Sequence, residues 1–244
     1  MTAYLAELTG TFLLILLGNG VVANTNLKNS HAHGGGWIVI AAGWGMAVFV
    51  GVFVAKDFSG AHLNPAVTLA MALSGLFSWS QVIPFTLAQM LGAMLGAATV
   101  YLFFRDHFRI TKEQFTKRNC FCTTPAIRNY RSNLVSEMIG TFVLVFAVLL
   151  IQPLTLEIEG ISATKVGLGS LDALPVGLLV FAIGLSLGGA TGYAINPARD
   201  LGPRLVHALL PIPDKDGNDW SYAWVPVVGP ILGAFLAVLL FLLF

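Results

Sequence analysis

The chain reads as an all-α membrane protein with six transmembrane helices and two re-entrant half-helices. Three observations predict this. The 244 residues are 56% hydrophobic and only 10% charged, where a soluble domain carries about 25% charged residues. Six apolar stretches are long enough to span a bilayer. Two matched Asn-Pro-Ala segments each open a shorter run. Mean hydropathy is +0.80.

The remaining composition narrows the function classes. A net charge of +1 offers no basic surface for nucleic acid. Residues 1–23 have no basic segment ahead of the apolar run, so a first membrane span fits better than a cleaved signal peptide. Cys120 and Cys122 are too few and too close for a disulfide framework. His107 is not at a helpful spacing to complete a metal site with them, so no metal or cofactor is expected.

In chain order, the spans fall near Tyr4–Ala23, Trp37–Val54, Gln81–Phe104, Asn133–Gln152, Ala173–Gly189 and Trp224–Phe244. Polar links at Asn24–Gly36, Arg105–Ser132 and Pro153–Asp172 separate them. After the second span comes Ser59-Gly-Ala-His62-Leu-Asn64-Pro65-Ala66, and after the fifth Thr191-Gly-Tyr-Ala-Ile-Asn196-Pro197-Ala198-Arg199-Asp200. Asn is a preferred N-cap, and Pro fits the first helical position, where no N–H donor is required. Each motif therefore starts a helix. The runs that follow, of roughly ten residues, are too short to cross.

The chain also repeats itself. Glu7-Leu-Thr-Gly10-Thr11-Phe12 matches Glu137-Met-Ile-Gly140-Thr141-Phe142, and Gln89-Met-Leu-Gly92-Ala93 echoes Pro230-Ile-Leu-Gly233-Ala234. The halves are 1–104 and 133–244, joined by the loop 105–132, in one domain. Three spans per half is an odd number, so the second half enters the membrane inverted. Inverted repeats place their site at the midplane, where the two half-helix N-termini face each other.

A helix N-terminus carries about half a positive charge and free N–H donors. Two of them meeting would repel cations, hydronium included. Asn64 and Asn196 can cap their own helices through the amide oxygen and leave N–H₂ for a lumen, where Asp would bring negative charge. The plainer alternative is that both are caps and nothing more.

Paired Asn-Pro-Ala motifs after the second and fifth spans, with Arg199 directly behind the second, resemble the aquaporin (major intrinsic protein) family over the whole chain. Asp200, in Asn196-Pro-Ala-Arg-Asp-Leu-Gly-Pro-Arg204, resembles its glycerol-facilitator branch. The resemblance implies a right-handed bundle of six spans and two half-helices, one pore per subunit and a homotetramer. It also implies a selectivity filter of Trp44, Gly184, Tyr193 and Arg199. Trp44 and Tyr193 would form an apolar corner for a carbon chain, with Arg199 donating to hydroxyl groups from the opposite side. Gly184 would leave room, and a side chain there would project into the lumen. Where the glycerol branch usually has Phe, this chain has Tyr193. The expected function is a passive channel for glycerol and small neutral solutes, with some water. Alternatives are a channel mainly for water or for dihydroxyacetone, urea, hydrogen peroxide or undissociated lactic acid. A gradient-coupled transporter would call for more intramembrane coupling groups, and an enzyme for a catalytic constellation the sequence lacks.

Glu7 and Glu137 lie in apolar spans, where a functional role is the default suspicion. Their matched positions point instead to supporting each re-entrant loop, and His62 reads as a loop-packing hydrogen-bonder. Gly92-x-x-x-Gly96 and Gly229-x-x-x-Gly233 read as close helix contacts. The lack of a targeting segment suggests a bacterial plasma membrane, and the family orientation puts both ends in the cytoplasm. That leaves most basic residues outside, including seven between Arg105 and Arg131, and Lys56 and Lys165 inside. The positive-inside rule predicts the reverse. Labelling of Cys120 and Cys122 by an impermeant thiol reagent is expected to report the orientation.

Overall fold

The structure, a computed structural model, describes residues 1–151, 154–158 and 161–244, apart from the side chains of 154–158 and 161–166. Gln152, Pro153 and the side chain of Lys165 lie outside the described residues. The long helices are α1 (Ala3–Asn26), α2 (Gly36–Ser59), α4 (Val82–Phe103), α7 (Tyr130–Leu150), α8 (Leu174–Leu187) and α10 (Val225–Phe241). The half-helices are α3 (Pro65–Leu73) and α9 (Pro197–Leu209), and two short helices, α5 (Arg105–Ile110) and α6 (Gln114–Asn119), occupy the long loop. Five segments are apolar and long enough to cross a bilayer, α8 reaching span length with the turn Gly169–Ala173 that leads into it. The 17 residues of α10 sit at the short end of the spanning range. The protein is a multi-pass membrane protein.

One departure from all-α lies in the link 153–172. Leu154–Ile158 (β1) and Ile161–Val166 (β2) pair antiparallel, Leu154 opposite Val166 and Ile158 opposite Ile161. Thr155, Ile158, Ile161, Thr164 and Val166 are β-branched, which suits a pleated ribbon more than a helix.

The outward faces show which solvent the fold expects. Ile83, Leu87, Leu91 and Leu95 are spaced four apart along α4, and each is more than half exposed. In water such a stripe would be costly; against acyl chains it is the required surface. Between helices there is no corresponding hydrophobic drive, so association rests on close backbone approach. A methyl placed on Gly92 would stand 2.3 Å from the Leu8 carbonyl oxygen, and one on Gly233 2.3 Å from that of Met138. Gly45 and Gly177 likewise bring α2 and α8 together, each facing the other's carbonyl at 2.8 Å from a would-be Cβ.

The half-helices begin as their sequence dictates. The Asn64 side-chain oxygen accepts from Ala66 N at 2.9 Å, and that of Asn196 from Ala198 N at 3.0 Å and Arg199 N at 3.3 Å. Each packs across the middle of the chain as well as within its own half: α9 against α4, and α3 against α10.

Several basic side chains in and around the long loop are engaged. Lys28 pairs with Glu113 at 3.0 Å and Arg118 with Asp216 at 2.5 Å, and Arg128 forks onto Asp219. The buried Lys117 donates to the Pro213 carbonyl. Lys215 caps the C-terminus of α9, donating to the carbonyls of His207, Ala208 and Leu210. The cysteine reading needs correction. Cys120 and Cys122 are buried, at 0% and 1% exposure, because the loop folds back onto the bundle instead of extending into solvent. Burial raises both thiol pKa values, that of Cys122 to about 12. Silence toward an impermeant reagent therefore carries no information on orientation.

Two outcomes follow from this packing. Gly233→Ala should destabilise the solubilised protein by about 1–3 kcal/mol, the cost of overpacking a close contact. Gly20→Ala, whose Cβ meets nothing within 4 Å, should leave the thermal midpoint unchanged or slightly raised; comparable losses at both positions would refute the backbone-contact account. Both thiols should stay unlabelled by maleimide in the folded protein and react only after denaturation.

Candidate pore

The two loops that lead into α3 and α9 are held by buried carboxylates. The Glu7 carboxylate accepts from His62 N at 2.9 Å and Leu63 N at 2.7 Å, and from the Ser59 hydroxyl and Gln89 amide at 2.6 and 2.8 Å. Glu137 accepts from Ala194 N at 3.0 Å and Ile195 N at 2.9 Å. Four non-glycine residues adopt left-handed backbone here: Ala61, Leu63, Tyr193 and Ile195, with φ of 52°, 50°, 36° and 43°. They occupy matched places in the two halves. Each costs about 1–2 kcal/mol locally, and the carboxylates hold the N–H groups between them in place. The His62 ring packs against Phe77 and Phe85 and reaches Thr68 Oγ1 at 3.2 Å.

The two motifs meet. Asn64 Nδ2 donates to the Ile195 carbonyl and Asn196 Nδ2 to the Leu63 carbonyl, both at 2.8 Å. This revises the sequence reading: each amide spends one N–H on the opposite loop, so one is left, not two. Pro65 and Pro197 open the helices, and Ala66 and Ala198 supply the capped N–H groups.

Two cavities of about 120 Å³ each lie against these loops. The inner one passes Asn64 and Asn196 between aliphatic walls such as Leu14, Val48 and Leu144. The outer one opens past Asn26, Asn119 and Thr124. Trp44, Tyr193 and Arg199 line both, so these three form the boundary between them.

Their arrangement differs from expectation in two respects. Arg199 does not face Trp44 from the opposite side; its guanidinium carbon stands 4.0 Å from the centre of the Trp44 ring. Arg199 is buried at 7% exposure and belongs to none of the ion pairs among the described residues; the indole face offers it negative potential. Asp200, the adjacent carboxylate, is turned away. It accepts from Thr123 N and Oγ1 at 2.7 Å each and from Arg204 Nε and Nη2 at 2.8 and 3.0 Å, tying the long loop onto α9. Gly184, in turn, lines neither cavity. A Cβ there would meet Tyr193 Cζ and Oη at 2.9 Å, so the phenol lies between Gly184 and the lumen. Trp44 Nε1 and Tyr193 Oη are buried without a hydrogen-bond partner in the protein.

Sequence reasoning missed the contributions of Gln89, Ser59, Thr123 and Trp37. A polar amide in the middle of an apolar span was a signal for Gln89; Thr123 lies in a loop and carries none.

The family profile described as Major intrinsic protein matches residues 1–241. The chain is 53% identical over 241 residues to a protein of Thermotoga maritima named a probable glycerol uptake facilitator, covering 99% of this chain and 98% of that one. It is 52% identical over 244 residues to the glycerol uptake facilitator protein of Streptococcus pneumoniae, covering 100% of both. Among solved structures, the aquaglyceroporin from Plasmodium falciparum superposes with a TM-score of 0.80 at 32% identity, over 98% of this chain and 93% of that one. With the paired half-helices and the whole-length match together, the chain belongs to the major intrinsic protein family.

Proposed function

We propose that this protein is a passive channel, not an enzyme, that conducts glycerol and other small neutral solutes with some water and excludes protons and ions. The observation that carries the reading is the boundary of Trp44, Tyr193 and Arg199 just beyond the point where two Asn-capped half-helices abut. The names of the relatives support glycerol as the solute.

The chemistry follows from the positions. Trp44 and Tyr193 offer apolar surface to a carbon chain, while Arg199 offers charge-assisted donors to hydroxyl oxygens. At the centre, the remaining amide N–H of Asn64 and of Asn196 offers two donors beside an aliphatic wall. That one-sided arrangement suits a molecule with hydroxyls along one edge and carbon along the other. Cations meet two helix N-termini and a buried guanidinium with no carboxylate facing them, an electrostatic barrier of the kind that closes pores to protons.

The same reading makes the chain a single channel domain of two inverted repeats, 1–104 and 133–244. It places both termini in the cytoplasm of a bacterial cell, in its cytoplasmic membrane, with one pore per subunit of a homotetramer. The basic loop 105–132 then lies outside, where Asp216 and Asp219 pair with its Arg118 and Arg128.

Swelling of proteoliposomes in a panel of neutral solutes tests the channel itself: glycerol flux should exceed that of empty vesicles and show no dependence on a proton or sodium gradient. Arg199→Val, and separately Asn196→Asp, should raise proton leak about tenfold, equivalent to some 1.4 kcal/mol off the barrier, while the bundle still folds. Unchanged decay of a pH gradient in both variants would refute the electrostatic account. Gly184→Ala should push the Tyr193 phenol toward Arg199 and reduce glycerol flux severalfold while water flux falls less. Equal loss of both fluxes per folded protein would remove Tyr193 from the constriction.

A further inference from the structure

Trp37 stands in the first turn of α2, outside the three residues that separate the cavities, yet it touches the groups that place one of them. Its indole Nε1 donates to the Gly184 carbonyl at 2.8 Å. Gly184 lies in the last turn of α8, where carbonyls need partners from beyond the helix. Its ring also meets Tyr193 edge to face, with centroids 5.8 Å apart and planes at 72°. Gly188, one turn beyond Gly184, makes the room: a Cβ there would stand 2.5 Å from Tyr193 Cδ1 and 2.7 Å from Trp37 Cζ2. Two glycines thus form a seat on α8 for the phenol, and Trp37 closes its outer side. Tyr193 needs such restraint, because its left-handed φ of 36° is costly for an aromatic residue.

We propose that Trp37 is a positioning residue of the constriction, pinning Tyr193 into its seat against Gly184 and Gly188 and so setting the width available beside Arg199. The assignment rests on the channel reading above. Trp37 also lines the outer cavity, and removing its ring opens a void next to the phenol. Tyr193 then relaxes outward, away from Arg199, and the gap widens.

The test measures water, glycerol and a four-carbon linear polyol in proteoliposomes of wild type, Trp37→Ala, Trp37→Met and Trp37→Phe, with protein per vesicle quantified. Loss of an aromatic edge contact corresponds to a factor of about three to ten. The four-carbon to glycerol flux ratio should rise by that factor in Trp37→Ala and Trp37→Met, while Trp37→Phe, which keeps an aromatic edge, stays near wild type. Trp37→Met fills the site without an aromatic edge and carries the comparison should Trp37→Ala give no folded protein. Ratios that are unchanged or lower, with all fluxes scaling together, mean that Trp37 serves bundle packing alone and overturn the assignment. A Trp37→Phe ratio as high as that of Trp37→Met overturns it too. Wild-type vesicles that pass no glycerol overturn the channel reading and this assignment with it, a result distinct from an unaltered ratio.

Discussion

The structure depends on two carboxylates buried in apolar spans, Glu7 and Glu137. A carboxylate away from water is expensive unless fully hydrogen-bonded, and each accepts from two successive backbone N–H groups of its re-entrant loop. The bonds work in both directions. The loops would otherwise carry unpaired N–H groups into a region without water, and four of their residues would sit in left-handed backbone with nothing to hold them there. Charge-assisted bonds, individually stronger than neutral ones, offset both costs. Without them there would be no fixed place for α3 and α9 to begin.

Once the loops are fixed, the two Asn caps can perform three tasks at once. The amide oxygen ends the helix, one N–H bridges to the opposite loop, and the other is left to the cavity. The bridge makes the halves mutually dependent, since each Asn is positioned by a carbonyl about 130 residues away. The first half carries extra support, with Ser59, Gln89 and Thr68 around Glu7. At the equivalent of Thr68 the second half has Asp200, which turns to the long loop instead. That substitution lets the long loop become part of the cavity wall on one side only, and it commits the carboxylate next to Arg199 to Arg204.

Close packing and the placement of Tyr193 are joined in α8. Gly177 admits α2, while Gly184 and Gly188 admit Tyr193 and Trp37. In lipid, small residues are the means by which helices approach. Here the same small residues also decide where an aromatic ring rests, so a packing glycine can shift a cavity-lining ring without lining the cavity itself.

The sequence by itself determined the membrane class, the six spans, the two helix starts and the pairing of Glu7 with Glu137. These depend on composition, run length and local capping chemistry, all of which are read within a few residues or by comparing the two halves. Only the tertiary structure decided that Arg199 stacks on Trp44, that Gly184 lies behind Tyr193, and that each Asn gives one N–H to the other loop. It also decided that Cys120 and Cys122 are buried and that the link 153–172 carries a hairpin. The left-handed backbone at Ala61, Leu63, Tyr193 and Ile195 had no local signal, since none is Gly or Asn. Those conformations exist because groups far away in sequence supply the compensating bonds, and no local pattern of residues records which distant partner will be there.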